Sequence, residues 1–248
     1  MNKEGHKLVN WKKLLLIAGI VCVCALGTVV YIMNAVTNIR DFFAPTSATT
    51  QEAIASEEKV SVNFNLGSGH YTAGMDIPAG VYDITAVRGT GNVSSDNAYS
   101  GGINAIMGAP GENDQLDIYE EYYQNIDLSE GVTLSISGGV LVSLKSDQAS
   151  GAPLQLRNQS ITEVVRLGNG HFVAGEDFPA GVYDIQAISG GGNVSSDNAY
   201  SGGINAILGT ADKNSSIKIY ELAYQNISLP EGVTLSIDGV QIELTPSR

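Results

Sequence analysis

Cysteine is nearly absent from this chain of 248 residues: Cys22 and Cys24 lie together near the N-terminus, and none follows. That excludes a disulfide framework for everything downstream. Tryptophan occurs once, at Trp11, so any sugar stacking beyond it would fall to tyrosine and a few phenylalanines. Histidine occurs three times, too rarely and too far apart for a histidine-based metal site. Basic residues number 13 against 26 acidic ones, a formal charge of −13. Lys3, Lys7, Lys12 and Lys13 against Glu4 give the first thirteen residues +3, so the rest carries −16. A body that acidic repels phosphate, which excludes nucleic acid and anionic lipid head groups as its partners. After Phe43 no window of helical length shows a 3.6-residue apolar period.

What is present begins with an apolar run. Leu14 to Met33 is twenty residues without a charge, about 30 Å as a helix and the thickness of a hydrocarbon core. Lysines precede it, and Trp11 and Tyr31 sit near its ends. These features predict a cytoplasmic basic tail over 1–13, a transmembrane helix over 14–33 extending as far as about 43, and an extracytoplasmic remainder. A cleaved signal peptide is the rival reading, but the run is long for one and Ile32-Met33-Asn34-Ala35 is a poor cleavage site. Pro45 ends the helical stretch, and 44–58 reads as a small, polar linker.

The stretch GNVSSDNAYSGGINAI, Gly91 to Ile106, returns letter for letter as Gly192 to Ile207. The shared offset is 101 residues and reads as gapless from the start of a copy to its end. A period that long means whole domains, not a solenoid. The repeats are placed at 59–146 and 161–248, with 147–160, containing GAPLQLRNQS, as a tether. Val60, Val62, Phe64 and Leu66 alternate with polar residues, as do Leu116 and Ile118, Val132, Leu134 and Ile136, and Val240, Ile242 and Leu244. Such alternation predicts half-buried strands. Asp76 to Gly80 and Asp177 to Gly181 read as turns, with the aspartate bonding amides ahead of it. The expected fold is all-β: two tandem β-sandwich (jelly-roll-like) domains behind a single N-terminal transmembrane helix, arranged as two beads and not as one continuous sheet.

The blocks AGMDIPAGVYDI and AGEDFPAGVYDI resemble the AGxDIPAGxY motif of extracytoplasmic domains in Gram-positive bacteria. The signature stretch and the closing NIDLSEGVTLSISG and NISLPEGVTLSIDG are similar to the later parts of the same family. The resemblance covers both repeats. It implies an all-β fold on a membrane or wall anchor and supplies no catalytic residues.

The signature stretch holds the densest set of hydrogen-bonding side chains. Asn92, Ser94, Asp96, Asn97, Tyr99 and Asn104, with their twins Asn193, Ser195, Asp197, Asn198, Tyr200 and Asn205, are the candidate binding residues. Two readings compete: a braced loop whose polar groups support its own backbone while Ile103 and Ile106 plug the core, or a surface for a sugar or peptide. Calcium is a third, weakened by Asp96 being the only carboxylate there. His70 and His171 each follow a glycine turn, and Asp76 and Asp177 lie six residues on, within reach for a catalytic pairing, although a structural histidine is the commoner case. Glu120-Glu121 becomes Glu221-Leu222 in the second copy, so a repeated glycosidase pair is excluded and an exposed strand edge is expected. The sequence therefore predicts a non-enzymatic surface protein without cofactor or metal. It is held to the membrane by its N-terminal helix and binds an envelope glycan, peptide or partner protein. The alternative is a stalk or accessory subunit with no ligand of its own.

Overall fold

The computed structural model describes residues 58–111, 118–210 and 221–248. The basic tail, the apolar span and the first linker up to residue 57 lie outside the described residues, and so does Leu116. Every regular element among the described residues is a strand. Repeat one contains β1 (Lys59–Leu66), β2 (Gly69–Thr72), β3 (Gly80–Arg88), β4 (Thr90–Ser95), β5 (Asn104–Gly108), β6 (Tyr122–Leu128), β7 (Thr133–Ser137) and β8 (Leu141–Ser150). They form two antiparallel sheets, ordered β1-β8-β3-β6 and β2-β7-β4-β5.

Two-residue alternation builds these sheets. On β3, Tyr82, Ile84 and Ala86 are buried while Val81 and Val87 are exposed. From the other sheet, Val93, Leu134 and Ile136 reach the same core. Each large side chain so placed contributes roughly 1.5–3 kcal/mol. The turn before β3 is tied twice. Asp76 accepts from the Thr72 amide at 2.8 Å, four residues behind it and not ahead as expected, and the Tyr82 hydroxyl donates to the Pro78 carbonyl at 2.6 Å. This is an all-β fold with two sheets about one core, consistent with a sandwich.

Repeat two contains β9 (Val165–Leu167), β10 (Gly170–Val173), β11 (Gly181–Ser196), β12 (Asn205–Gly209), β13 (Ala223–Leu229) and β14 (Thr234–Pro246). Here β11 runs unbroken where repeat one has β3 and β4, and β14 where it has β7 and β8. The chain crosses between sheets at Gly89 in repeat one and over Gly190–Asn193 in repeat two, with Gly91 beside the first crossing and Gly192 within the second. A Cβ on Gly91 would lie 2.1 Å from the Ser137 carbonyl oxygen, and one on Gly192 1.8 Å from that of Asp238. Only glycine allows that approach. The second copy has its own core, from Ala174 to Leu244.

Three readings of the sequence need correction. The offset is not gapless. Ala86 pairs with Val142 and Ala187 with Ile242, so the copies are 101 residues apart at the alanine but 100 at its partner. Gly139 is the extra residue; Val140 and Val240 are the matching core positions beside it. The strand expected around Ile118 is not formed at Ile118, which is 51% exposed and outside any strand. Finally, the stretch after 146 is not a free tether. Strand β8 continues to Ser150, pairing Ala149 with Val60. Beyond it Arg157 bonds Asp76 at 2.5 Å, with both side chains nearly buried.

The copies touch. The Gln225 amide on β13 donates to the Ser68 carbonyl at 3.0 Å, and Gln225 faces Gly69 in a one-residue parallel bridge that joins the sheets of the two repeats. Each repeat closes its own core, as two beads would, but a one-residue bridge joins their sheets.

Candidate functional site

The turn between β4 and β5 is held by its own side chains. The Ser95 hydroxyl donates to Asn97 Oδ1 at 2.7 Å and accepts from the Ile103 amide at 2.9 Å. Asn97 Nδ2 donates to the Asp127 carbonyl at 2.9 Å, and Asp96 accepts from the Thr133 amide at 3.2 Å. The second copy repeats this: Asn198 Nδ2 to Ser228, the Thr234 amide to Asp197, the Ile204 amide to Ser196, at 2.9, 3.2 and 2.9 Å. Asp96, Asn97, Asp197 and Asn198 are therefore braces, because each bonds a distant backbone group; of their atoms, Asn198 Oδ1 is left buried without a partner. Ile103 plugs the core as expected, but Ile106 does not. It is 45% exposed, since strand alternation turns it outward with Asn104.

The remaining candidates face solvent. Asn92, Ser94 and Asn104, like Asn193, Ser195 and Asn205, lie on the outer side of strands whose alternate residues, Val93 and Ala105, are buried. Register aligns them with residues far away in sequence. His70 pairs with Ser135, Ser135 with Ser94, and Ser94 with Asn104, making one polar row across four strands. His171, Ser236, Ser195 and Asn205 make the second row. Tyr99 and Tyr200 stand at the tips of the braced turns, 97% and 101% exposed.

Both histidines bond the serine beside them, Nδ1 to Oγ at 2.8 Å in each copy. Asp76, the acid considered for His70, instead holds the Thr72 amide and Arg157. His70 Nε2 lies 2.8 Å from the carbonyl of Gly203, in the other repeat. A carbonyl only accepts, so Nε2 carries the proton, and burial lowers the pKa of this imidazole and favours the neutral ring. Nδ1 then accepts from the Ser135 hydroxyl. The pair has a serine and a base, but no carboxylate orients the ring, and repeat two covers it.

No family model, curated protein or solved structure matches the chain. Its chemistry must be judged from these residues alone. Among the described residues no three His, Cys, Asp or Glu side chains gather where a metal could bind. A cavity of about 860 Å³ lies along the edge of repeat one between β3, β6, β8 and the segment 152–155. Asp83, Asp127, Lys59 and Lys145, all on strands, line it, with Lys145 paired beside Asp83, so the wall is of mixed charge.

Sequence reasoning missed the contacts between repeats. Glu221, expected at an exposed edge, is buried, while its twin Glu120 is exposed. Its Oε1 accepts from the Gly138 amide at 3.0 Å, and its Oε2 is buried with no partner. Burial pushes this carboxyl above the usual range, against the pull of the adjacent Ser68 hydroxyl and the Gly138 amide. The one available signal was the difference between the copies, Glu121 becoming Leu222 and Ser68 becoming Asn169.

Proposed function

We propose that this chain is a single-pass membrane protein with a cytoplasmic N-terminus. Its two extracytoplasmic jelly-roll-like sandwich domains bind an envelope glycan, peptide or partner protein without catalysis. The observation that carries the reading is the pair of fully exposed rings, Tyr99 and Tyr200, on turns fixed by three side chains each. A rigid tyrosine offers a large contact area with little rotamer entropy to lose on binding. Asn92, Ser94 and Asn104 supply uncommitted polar groups on the strands that the turn joins. The uncharged run after the N-terminal lysines supports the placement, and the resemblance to Gram-positive extracytoplasmic domains supports it further.

The test is co-sedimentation of the ectodomain, residues 44–248, with isolated cell-wall sacculi. The expected result is binding that the double substitution Tyr99→Ala, Tyr200→Ala abolishes while the melting temperature stays unchanged. Retention of the double variant on the sacculi would exclude the tyrosines as the binding surface.

A second reading, a stalk without its own ligand, is favoured by the contact between repeats. His70 to Gly203 and Gln225 to Ser68 fix one domain on the other, and Arg157 to Asp76 pins the segment between them to repeat one. A chain that binds no sacculi and no envelope protein, yet keeps this rigid contact, would fit that reading.

A further inference from the structure

The contact between the repeats is head-to-tail. Repeat one contributes a socket: Ser68, Gly69 and His70 at the start of β2, with Gly138. Repeat two contributes a plug: Gly203, Glu221 and Gln225. The two surfaces differ, and each repeat carries both by descent. Repeat two therefore has its own socket, Asn169, Gly170, His171 and Gly239. Repeat one has its own plug, Gly102, Glu120 and Gln124. Among the described residues, none from the other repeat covers either. Ser68 and Gly69 are buried, whereas Asn169 is exposed and Gly170 half-buried. Glu221 and Tyr224 are buried, whereas Glu120 is exposed and Tyr123 half-buried. A cavity of about 520 Å³ lies at the second socket, bordered by Asn169, Gly170, His171, Asn193 and Ser236.

We propose that a second copy of this chain fills that socket with the plug of its repeat one. A contact between two different faces pairs head to tail, so its repetition adds chains in a row or a ring and does not stop at a dimer. This inference does not depend on the tyrosine reading. Three bonds of the internal contact have their donors and acceptors present in trans. His171 Nε2 would donate to the Gly102 carbonyl, as His70 does to Gly203. The Gln124 amide would donate to the Asn169 carbonyl, as Gln225 does to Ser68. Glu120 would accept from the Gly239 amide, as Glu221 does from Gly138. The second socket also keeps the glycine that the approach requires. At Gly69 a Cβ would lie 2.8 Å from Gln225 Cβ and 2.9 Å from its carbonyl oxygen.

Three features weaken the contact in trans relative to the internal one. The Phe172 ring lies 3.0 Å from where a Cβ on Gly170 would sit, the side of the glycine that Gln225 takes at Gly69, and must swing aside. Asn169 Oδ1 already accepts from the Gly239 amide at 2.8 Å and must give way to Glu120. The Arg157 bond to Asp76 and the tether's high effective concentration are also missing. Association is therefore expected only at raised chain concentration.

The test is disulfide trapping of the full chain in detergent, with Cys22→Ser and Cys24→Ser as background. Ser68→Cys with Glu221→Cys, whose side chains lie together in the internal contact, should close within one chain, which checks the template. Asn169→Cys chains mixed with Glu120→Cys chains should give a dimer and nothing larger. Both changes in one chain should give a ladder of dimer, trimer and higher species. Three outcomes would overturn the proposal: failure of the template pair to close, no dimer in the mixture, or dimers from either single variant alone. A second measurement needs no cysteine. Light scattering of the unmodified full chain should rise with concentration, and His171→Ala, at an exposed site, should shift the midpoint about tenfold higher. An unchanged midpoint would count against the contact.

Discussion

Within one turn, neighbouring polar residues do opposite jobs. Asn97 spends its amide on the Asp127 carbonyl and its oxygen on Ser95, while Tyr99, two residues on, touches nothing. Asn97→Ala should cost repeat one roughly 1–3 kcal/mol, because buried partners are left unpaired. Tyr99→Ala should stay within about 0.5 kcal/mol. Denaturant unfolding of both variants checks the contrast, and equal losses would remove the distinction between brace and exposed tip. Tyr82 gives a residue-level pH effect. Burial pushes its hydroxyl up to about 12, above the ordinary 10. The folded state holds that proton more tightly, so the stabilisation is complete below pH 10 and is lost as pH rises from 10 towards 12. Melting temperature should fall across that window, and Tyr82→Phe should show a shallower fall.

At the scale of strands, the junction of β2 with β13 is where the repeats depend on one another. Glycine at 69 is needed because the neighbouring strand passes too close for a side chain. Gly69→Leu should separate the repeats and split thermal unfolding into two transitions, read by calorimetry. The same junction holds two titratable groups with opposite signs. Burial raises the Glu221 carboxyl, so its penalty is full above the raised value and relieved as pH falls towards 4.5. Burial lowers His70, so its penalty appears as pH falls below 6.5. Glu221→Gln removes only the first. Its stability relative to the parent should therefore be greatest near neutral pH and shrink towards pH 4.5. A constant difference across that range would show that the carboxyl titrates normally.

For the whole molecule, the expectation concerns location and independence. Protease added to intact cells should remove both repeats and leave the basic tail, as the N-terminal lysines and uncharged run predict. Protection of the repeats would reverse the assignment. Each repeat encloses its own core, with no buried apolar residue shared. Residues 58–151 and 157–248, expressed separately, should each melt cooperatively. The second fragment should be the less stable relative to its state in the pair, because Glu221 and Tyr224 lose their cover. A fragment that stays unfolded would mean that the two cores are not separable.

The sequence by itself determined whatever depends on near neighbours. Period-two alternation marked Leu134 and Ile136, and likewise Val240, Ile242 and Leu244, as core-facing, because a strand sends alternate side chains to opposite sides regardless of its partners. Letter-for-letter identity marked the repeats. Tertiary structure decided whatever depends on pairing across distance. Ser135 is 65 residues from His70 and Gly203 is 133, and no local pattern joins them. The extra Gly139 was legible in the letters, SISGGV against SIDGV, and the register of Ala86 on Val142 against Ala187 on Ile242 shows that the sheet crossing absorbs it. The two copies of one plug, Glu120 and Glu221, share type and local strand pairing yet differ in burial. What separates them is a neighbouring domain, and a neighbouring domain leaves no periodicity in the chain it covers.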